Sequence, residues 1–231
     1  MSDLTILPSV EQRLAALIEV SRRISQAETN SLNGLKPTIT LSREFGCEAF
    51  PVAQKLKQIM EKKTKEKWAL VDKSLILEVA KRHDIEAELL KNLGKRPRLL
   101  DDMLSALSSR WTNEKDHFQL LVQNLVSIAS KGNAIIVGLG AGIVSQSLEN
   151  CFHFRMFGSK EYRIASMARR RSMTKEEAEI LIEKKQKERR KFIREFLGRD
   201  THDPELYHML FNCDLNNSEK IAKTIANYIS L

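Results

Sequence analysis

Several features are scarce or absent in this chain of 231 residues, and each absence disfavours a class of protein. Aromatic residues make up only 6%, which disfavours a stacking platform for nucleic-acid bases. The three cysteines, Cys47, Cys151 and Cys213, are too sparse for a disulfide framework, and no Cys/His cluster indicates a metal site. No apolar run is long enough to span a membrane, and the N-terminus lacks a basic-then-apolar signal pattern. We therefore expect a cytoplasmic protein without a membrane partner.

The positive charge is concentrated in one segment. The formal net charge is +8, and residues 160–199 contain fourteen Lys and Arg against seven Glu, a local excess of +7. Such a run is typical of a solvated basic helix, of a surface for nucleic acid or acidic lipid, or of arginines that close over a phosphorylated small molecule. The absence of interleaved aromatic residues and of a nucleic-acid reader motif disfavours nucleic acid.

Short apolar runs alternate with helical patterns along the chain. This alternation predicts an α/β fold with a five-stranded parallel sheet covered by helices on both faces. The predicted strands are 38–41, 68–71, 134–137, 152–157 and 206–211. The predicted helices are 9–27, one opened by Pro51, one after residue 72, 99–110, 114–131, 174–197 and one capped by Ser218.

The first strand runs into a turn and a helix, which is the context of a phosphate-binding loop. Such a loop uses glycines, so that backbone N–H groups approach phosphate, and a lysine that reaches the terminal phosphates. This turn keeps one glycine, Gly46, and has Glu48 within it and Phe50 near the place of the lysine. Ligands of parallel sheets bind beyond the carboxyl ends of the strands, so we also expect site residues just after the second, third and fifth strands.

Five segments stand in register along the chain: Ile39 to Gly46, Val71 to Leu77, Ile135 to Ala141, the arginine-rich stretch Arg163 to Arg189, and Asp203 to Asn212. Together they resemble the cytidylate kinase-like family, a branch of the P-loop nucleoside monophosphate kinases. The resemblance covers residues 38–231 and leaves 1–37 as a separate segment, an amphipathic helix and a polar linker. An apolar stripe on that helix predicts that it docks on its own domain or forms a homodimer with a second copy.

The resemblance implies a nucleotide ligand, ATP and Mg²⁺, and a function in phosphoryl transfer. It places substrate-binding helices at about 73–131 and an arginine-rich lid at about 158–200. The residues it implies for the ATP site are Ser42, Arg43, Gly46, Cys47 and Glu48. For the acceptor nucleotide they are Asp72, Gly138 and Gly140, and for catalysis Arg163, Arg170 and Arg189.

Simpler roles stand beside these implied ones. Asp72 is equally well explained as the N-cap of the next helix, and Ser42 and Arg43 as a strand-end serine and a surface arginine. The glycines 138, 140 and 142 favour a tight turn over dinucleotide binding. Cys47 lies where a helix N-terminus and Arg43 would lower the pKa of its thiol, although a small residue that fills the loop is the simpler interpretation.

The chain departs from the family pattern at three positions that handle phosphate or belong to the lid. Cys47 to Phe50 replaces Ser-Gly-Gly-Arg, Leu139 replaces an arginine between glycines, and Gln186 replaces an aspartate. A carboxylate at Glu48 about 4 Å from a phosphate would cost roughly 4 kcal/mol at an effective dielectric constant of about 20. The residues therefore leave two functions open: a working ATP-dependent nucleotide kinase, or a kinase-derived protein that binds a nucleotide or a partner without turnover.

Overall fold

A computed structural model describes residues 36–73 and 114–229 of the chain. The described part contains five strands, β1 (Thr38–Arg43), β2 (Ala69–Asp72), β3 (Ala134–Val137), β4 (Cys151–Phe157) and β5 (Met209–Asn212). It also contains six α-helices, α1 (Ala49–Thr64), α2 (Glu114–Lys131), α3 (Ala141–Val144), α4 (Lys160–Arg171), α5 (Lys175–Leu197) and α6 (Ser218–Tyr228).

The five strands form one parallel sheet in the order β2-β3-β1-β4-β5. One face of the sheet is apolar: Ile39 and Leu41 of β1 are fully buried with Leu56 of α1 and Ile225 of α6. The other face is more polar, since the hydroxyl of Thr38 donates to the carbonyl of Ala129 in α2. Helices therefore cover both faces, and the predicted α/β class with a five-stranded parallel sheet is confirmed.

Strand β1 lies at the centre and sets where the site can form. Its pairing with β4 continues as far as Arg43 opposite Met156, so β1 is two residues longer than the sequence predicts. The chain then reverses through residues 44–48, named here the β1 loop, and enters α1. Three carboxyl ends, those of β3, β1 and β4, consequently meet at one edge of the sheet.

Helices α4 and α5 form a helical hairpin beside that edge. Thr174 and Glu177 make the predicted capping box at the start of α5, with each side chain bound to the other residue's backbone N–H. Helix α4 begins at Ser159, whose hydroxyl accepts from the N–H of Tyr162. Three arginines follow one another in the last turn of α4, where the helix dipole favours positive charge.

Three predicted boundaries are wrong, each for a local reason. Pro51 does not open its helix, which begins two residues earlier, and proline is tolerated there because first-turn N–H groups have no intrahelical acceptor. Leu206 lies in a short 3₁₀-helix (Pro204–Leu206) rather than in β5, because the side chain of Asp203 accepts from the N–H of Glu205. Asn217, not Ser218, caps α6 by accepting from the N–H of Lys220.

Other predictions concern residues outside the described part of the chain. These are the helix at 9–27, with the homodimer it suggested, and most of the substrate-binding helices placed between 73 and 131. Within residues 36–73 and 114–229, no helix is both long and apolar enough to cross a membrane.

Candidate functional site

Two backbone hydrogen bonds and one glycine shape the β1 loop. Cys47 N–H donates to the carbonyl of Glu44, and Ala49 N–H donates to the carbonyl of Cys47. Gly46 has φ of +106°, and a Cβ there would lie 2.6 Å from the Cβ of Arg163. The one glycine of the loop is therefore required by the close approach of α4, as well as by the backbone angle.

The hairpin holds the β1 loop through three further hydrogen bonds. The side chain of Gln186 accepts from the N–H of Phe45 at 3.0 Å. Arg170 Nη2 donates to the carbonyl of Gly46 at 2.9 Å. Arg189 Nη1 donates to the carbonyl of Arg43 at 2.8 Å, and its guanidinium lies 5.6 Å from the ring centre of Phe45. The hairpin, which falls in the segment where the resemblance implies a lid, is thus docked on the β1 loop.

Glu48 is bound to α4 and is not an isolated negative charge. One carboxylate oxygen accepts from Ser166 Oγ and from Arg169 Nη2, both at 2.8 Å, and Arg170 Nε lies 3.7 Å away. The repulsion of roughly 4 kcal/mol that the sequence suggested assumes an unpaired carboxylate facing phosphate. The structure corrects that assumption, because the arginines neutralise the charge. Phe50, the other departure in this region, packs against the main core.

Arg163 is committed to contacts within the protein. Its Nε donates to the carbonyl of Gly158 at 3.1 Å and lies 3.5 Å from the Glu44 carboxylate. The same carboxylate accepts from Gly158 N–H at 3.3 Å and has His202 Nε2 at 3.6 Å. Arg163 therefore helps to fix Glu44, the first residue of the β1 loop.

Three arginines converge at the carboxyl ends of β1 and β4, and we name Arg43, Arg155 and Arg189 the arginine cluster. Burial lowers the pKa of Arg189 to about 9, and repulsion from Arg43 and Arg155 adds to that shift. Burial also lowers the pKa of Arg43, against the attraction of Asp72. Like charges held together in a partly dry site favour binding of an anion, which would relieve the repulsion.

Arg155 was missed by the sequence predictions, although it is the most buried member of the arginine cluster. Its side chain is 3% exposed, Nη1 lies 3.5 Å from Ser42 Oγ, and Nη2 has no hydrogen-bond partner within the described residues. Glu44 is 3.8 Å from that nitrogen. The available signal was an arginine in the middle of the apolar strand Cys151–Phe157. A buried guanidinium nitrogen that lacks a hydrogen-bond partner favours the binding of an acceptor group.

Tyr207 connects this site to the segment before β5. Its hydroxyl donates to the carbonyl of Thr201 at 3.0 Å and lies 3.3 Å from Ser42 Oγ. Its ring is 5.7 Å from the guanidinium of Arg155, which is within cation–π range. Ser42 thus lies between Arg155 and Tyr207, at the place where the sequence predicted a phosphate contact.

The predicted acceptor-site residues lie on the other side of β1. Asp72 is the last residue of β2 and pairs with Val137 of β3. Its negative charge attracts the guanidinium of Arg43. Gly138, Leu139 and Gly140, named here the β3 turn, have φ of +76°, +61° and +73°. A Cβ at Gly138 would lie 2.0 Å from Arg43 Nη1, so this glycine leaves room for that guanidinium. The predicted tight turn is present, and Arg43 joins it to the β1 loop.

The pKa of the Cys47 thiol is not lowered, although a helix N-terminus and Arg43 were expected to lower it. A hydrogen bond with the thiol of Cys213, and then burial, raise the pKa of Cys47 above its usual value. The simpler interpretation, a small residue that fills the loop, agrees with its 6% exposure.

Comparison with known proteins supports the fold and the family. The model of the cytidylate kinase-like family matches residues 38–215. A crystal structure of an uncharacterized protein from Eubacterium ventriosum ATCC 27560 superposes with a TM-score of 0.60 at 19% identity, over 84% of this chain and 98% of that one. At that identity the likeness shows the fold alone. No curated protein matches the chain.

Proposed function

Because the chain belongs to the cytidylate kinase-like family, we propose that it binds nucleotides at the carboxyl edge of its sheet and transfers a phosphoryl group from ATP to a nucleoside monophosphate or a related small acceptor. The observation that carries the proposal is the buried Arg155 Nη2, which lacks a hydrogen-bond partner beside Arg43 and Arg189. A phosphate oxygen would supply the missing acceptor and relieve the repulsion within the arginine cluster.

Arginine side chains would supply the hydrogen bonds to phosphate that the backbone of a glycine-rich loop ordinarily supplies. The N–H groups of Phe45, Cys47 and Ala49 already have acceptors within the protein, so few loop amides remain for phosphate. Planar guanidinium groups grip phosphate through two parallel hydrogen bonds and stabilise the charge on a transferring phosphoryl group. The pairing of Glu48 with Arg169 removes the electrostatic objection to an anion at this loop.

The described residues fit a magnesium ion that arrives with ATP. Mg²⁺ needs only one or two protein oxygens, since water and phosphate complete its shell. The carboxylate of Asp72, at the carboxyl end of β2, would supply one such oxygen. Ser42 lies beside Arg155 and is separated from β2 by β3, so it would not share that ion. Bound by Asp72, Mg²⁺ would neutralise charge on the phosphates. Within residues 36–73 and 114–229 no group of three or more His, Cys, Asp and Glu is arranged to hold a metal ion by itself, and this chemistry does not require one.

Binding without turnover is the second candidate, favoured by one observation. Gln186 accepts the Phe45 N–H, so the hairpin occupies a backbone donor that a phosphate of ATP would approach. If the hairpin never leaves the loop, a nucleotide reaches the arginine cluster alone and no phosphoryl donor is aligned.

The proposal is tested by calorimetric titration of Mg²⁺–ATP and of CMP into the full-length protein, with an assay for ADP release. We expect Arg155→Met to weaken nucleotide binding at least tenfold, and Arg155→Lys to weaken it less because it keeps the charge. Arg171→Met, an exposed arginine at the end of α4, is the matched control and should bind normally. Melting temperatures identify any variant that fails to fold.

Three outcomes separate the candidates. Binding of both ligands with ADP release supports the kinase. Binding without ADP release, for CMP and for the other nucleoside monophosphates, supports the binding protein. A wild-type protein that binds neither ATP nor any monophosphate contradicts both.

A further inference from the structure

Two cysteines from opposite parts of the sequence lie side by side in the fold. Cys47 is in the β1 loop and Cys213 immediately follows β5, and the two thiols are near enough to shift each other's pKa. Both are buried in the main core, with 6% and 7% of their surfaces exposed. A Cβ at Gly158 would lie 3.6 Å from Cys47 Sγ and 3.2 Å from a carboxylate oxygen of Asp214, the neighbour of Cys213.

The pair lies where three elements of the site meet. Cys47 lies between Gly46, whose carbonyl accepts from Arg170, and Glu48, whose carboxylate accepts from Arg169. The N–H of Cys213 donates to the carbonyl of Phe157 at the end of β4. Asp214 accepts from the backbone N–H of Ser159, the residue that caps α4. A covalent link between the thiols would therefore join the β1 loop to the end of β5 and to the start of the hairpin.

We propose that Cys47 and Cys213 are a redox modification site, which forms a reversible disulfide that tethers the β1 loop to the end of β5. Neither the family assignment nor the proposed phosphoryl transfer requires this link, and the inference stands independently of both. Cys151 takes no part: its sulfur lies near the carbonyl of Ala129 and the side chain of Asn150, at the start of β4.

The chemistry balances with hydrogen peroxide as the oxidant. The Cys213 thiolate attacks one peroxide oxygen, the O–O bond breaks, and a sulfenic acid and one water form with a proton from solvent. The Cys47 sulfur then attacks the sulfenic sulfur, the S–S bond forms, and hydroxide leaves as a second water with the Cys47 proton. In total two S–H bonds are lost and peroxide takes up two electrons.

Buried thiols react slowly, so the test approaches equilibrium from both sides. Reduced full-length protein, and protein refolded in oxidised glutathione, are incubated at a series of glutathione ratios, quenched with acid and alkylated. We expect two of the three thiols to be lost under oxidising conditions, a Cys47–Cys213 linked peptide in the mass spectrum, and full recovery with dithiothreitol. The oxidised protein should also melt several degrees higher than the reduced protein, because the link closes a long loop.

Single-cysteine variants make the assignment specific. Cys151→Ser should behave as the wild type, and Cys213→Ser should form no internal disulfide at any ratio. The proposal is overturned if both thiols stay free after refolding in oxidised glutathione, or if Cys151 is linked as often as Cys213. It is equally overturned if the oxidised form melts no higher than the reduced form, since the link would then not tether the loop.

Discussion

The β1 loop and the β3 turn lie side by side at the same edge of the sheet, and they are held in different ways. The β3 turn has two glycines and is held by backbone hydrogen bonds: Gly138 N–H donates to the carbonyl of Leu41 in β1, and Ala141 N–H to that of Gly138. The β1 loop has one glycine and depends on Gln186, Arg170 and Arg189 from the hairpin. The β1 loop, which has fewer glycines, is therefore held by side chains from the hairpin, whereas the β3 turn is held by backbone hydrogen bonds.

This contrast changes the meaning of the departures from the family pattern. Glu48 and Gln186 look like losses when each is compared with the residue it replaces. In the fold they are partners: Glu48 binds Ser166 and Arg169 on α4, and Gln186 on α5 binds the loop backbone at Phe45. The loop and the hairpin therefore act as one unit, whose cohesion can be measured.

The largest effect is expected from adding a methyl group to the β1 loop. Gly46→Ala forces a residue with Cβ into φ of +106° and against the backbone of Arg163, so we expect a loss of about 4 kcal/mol in the free energy of unfolding. Gly138→Ala is the matched change in the β3 turn. It should cost about 2 kcal/mol, because the atom it meets is the mobile end of Arg43. Urea denaturation compares them, and equal losses would contradict the contrast.

The next effect is a pH dependence that comes from His153 of β4, which packs under α3. His153 is bonded to Thr40 at 2.8 Å beneath Gly142 of α3, and burial, with His208 nearby, lowers its pKa from 6.5 to about 4. Between those values the unfolded chain takes up a proton that the native protein does not. His153 therefore lowers the free energy of unfolding as pH falls through this window, by about 3 kcal/mol in total.

Denaturation at a series of pH values checks this sign. His153→Gln should flatten the dependence between pH 6.5 and 4. Unchanged slopes in His153→Gln would show that the histidine is not held neutral.

The smallest effect is expected from removing one hydrogen bond between the hairpin and the β1 loop. Gln186→Leu keeps the size of the side chain and removes the acceptor of the Phe45 N–H, so we expect a loss of about 1–2 kcal/mol. Amide hydrogen exchange should accelerate at Phe45 and stay unchanged at Ala141 in the β3 turn. Lys187→Leu, at the exposed neighbouring position, is the control. Equal exchange at Phe45 in both variants would mean that the hairpin does not hold the loop.

Apolar patterns and caps carried most of the fold prediction. The runs at 134–137 and 114–131 coincide with β3 and α2, and the Thr174 capping box was found where the sequence placed it. These signals are local: a buried strand needs consecutive apolar residues, and a cap needs a hydroxyl three residues before a glutamate. The start of β5 was misplaced because Leu206 is equally apolar in a strand and in a 3₁₀-helix.

The sequence by itself determined the α/β class, the parallel sheet, the family and the concentration of arginines in residues 160–199, because periodicity and motif order are properties of the chain. Only the tertiary structure decided which groups those arginines meet. It paired Glu48 with α4, left Arg155 Nη2 without a hydrogen-bond partner among the described residues, and set Cys47 against Cys213. The physical reason is that charge, pKa and reactivity depend on partners a few ångströms away in space, and those partners come from strands and helices far apart in the sequence.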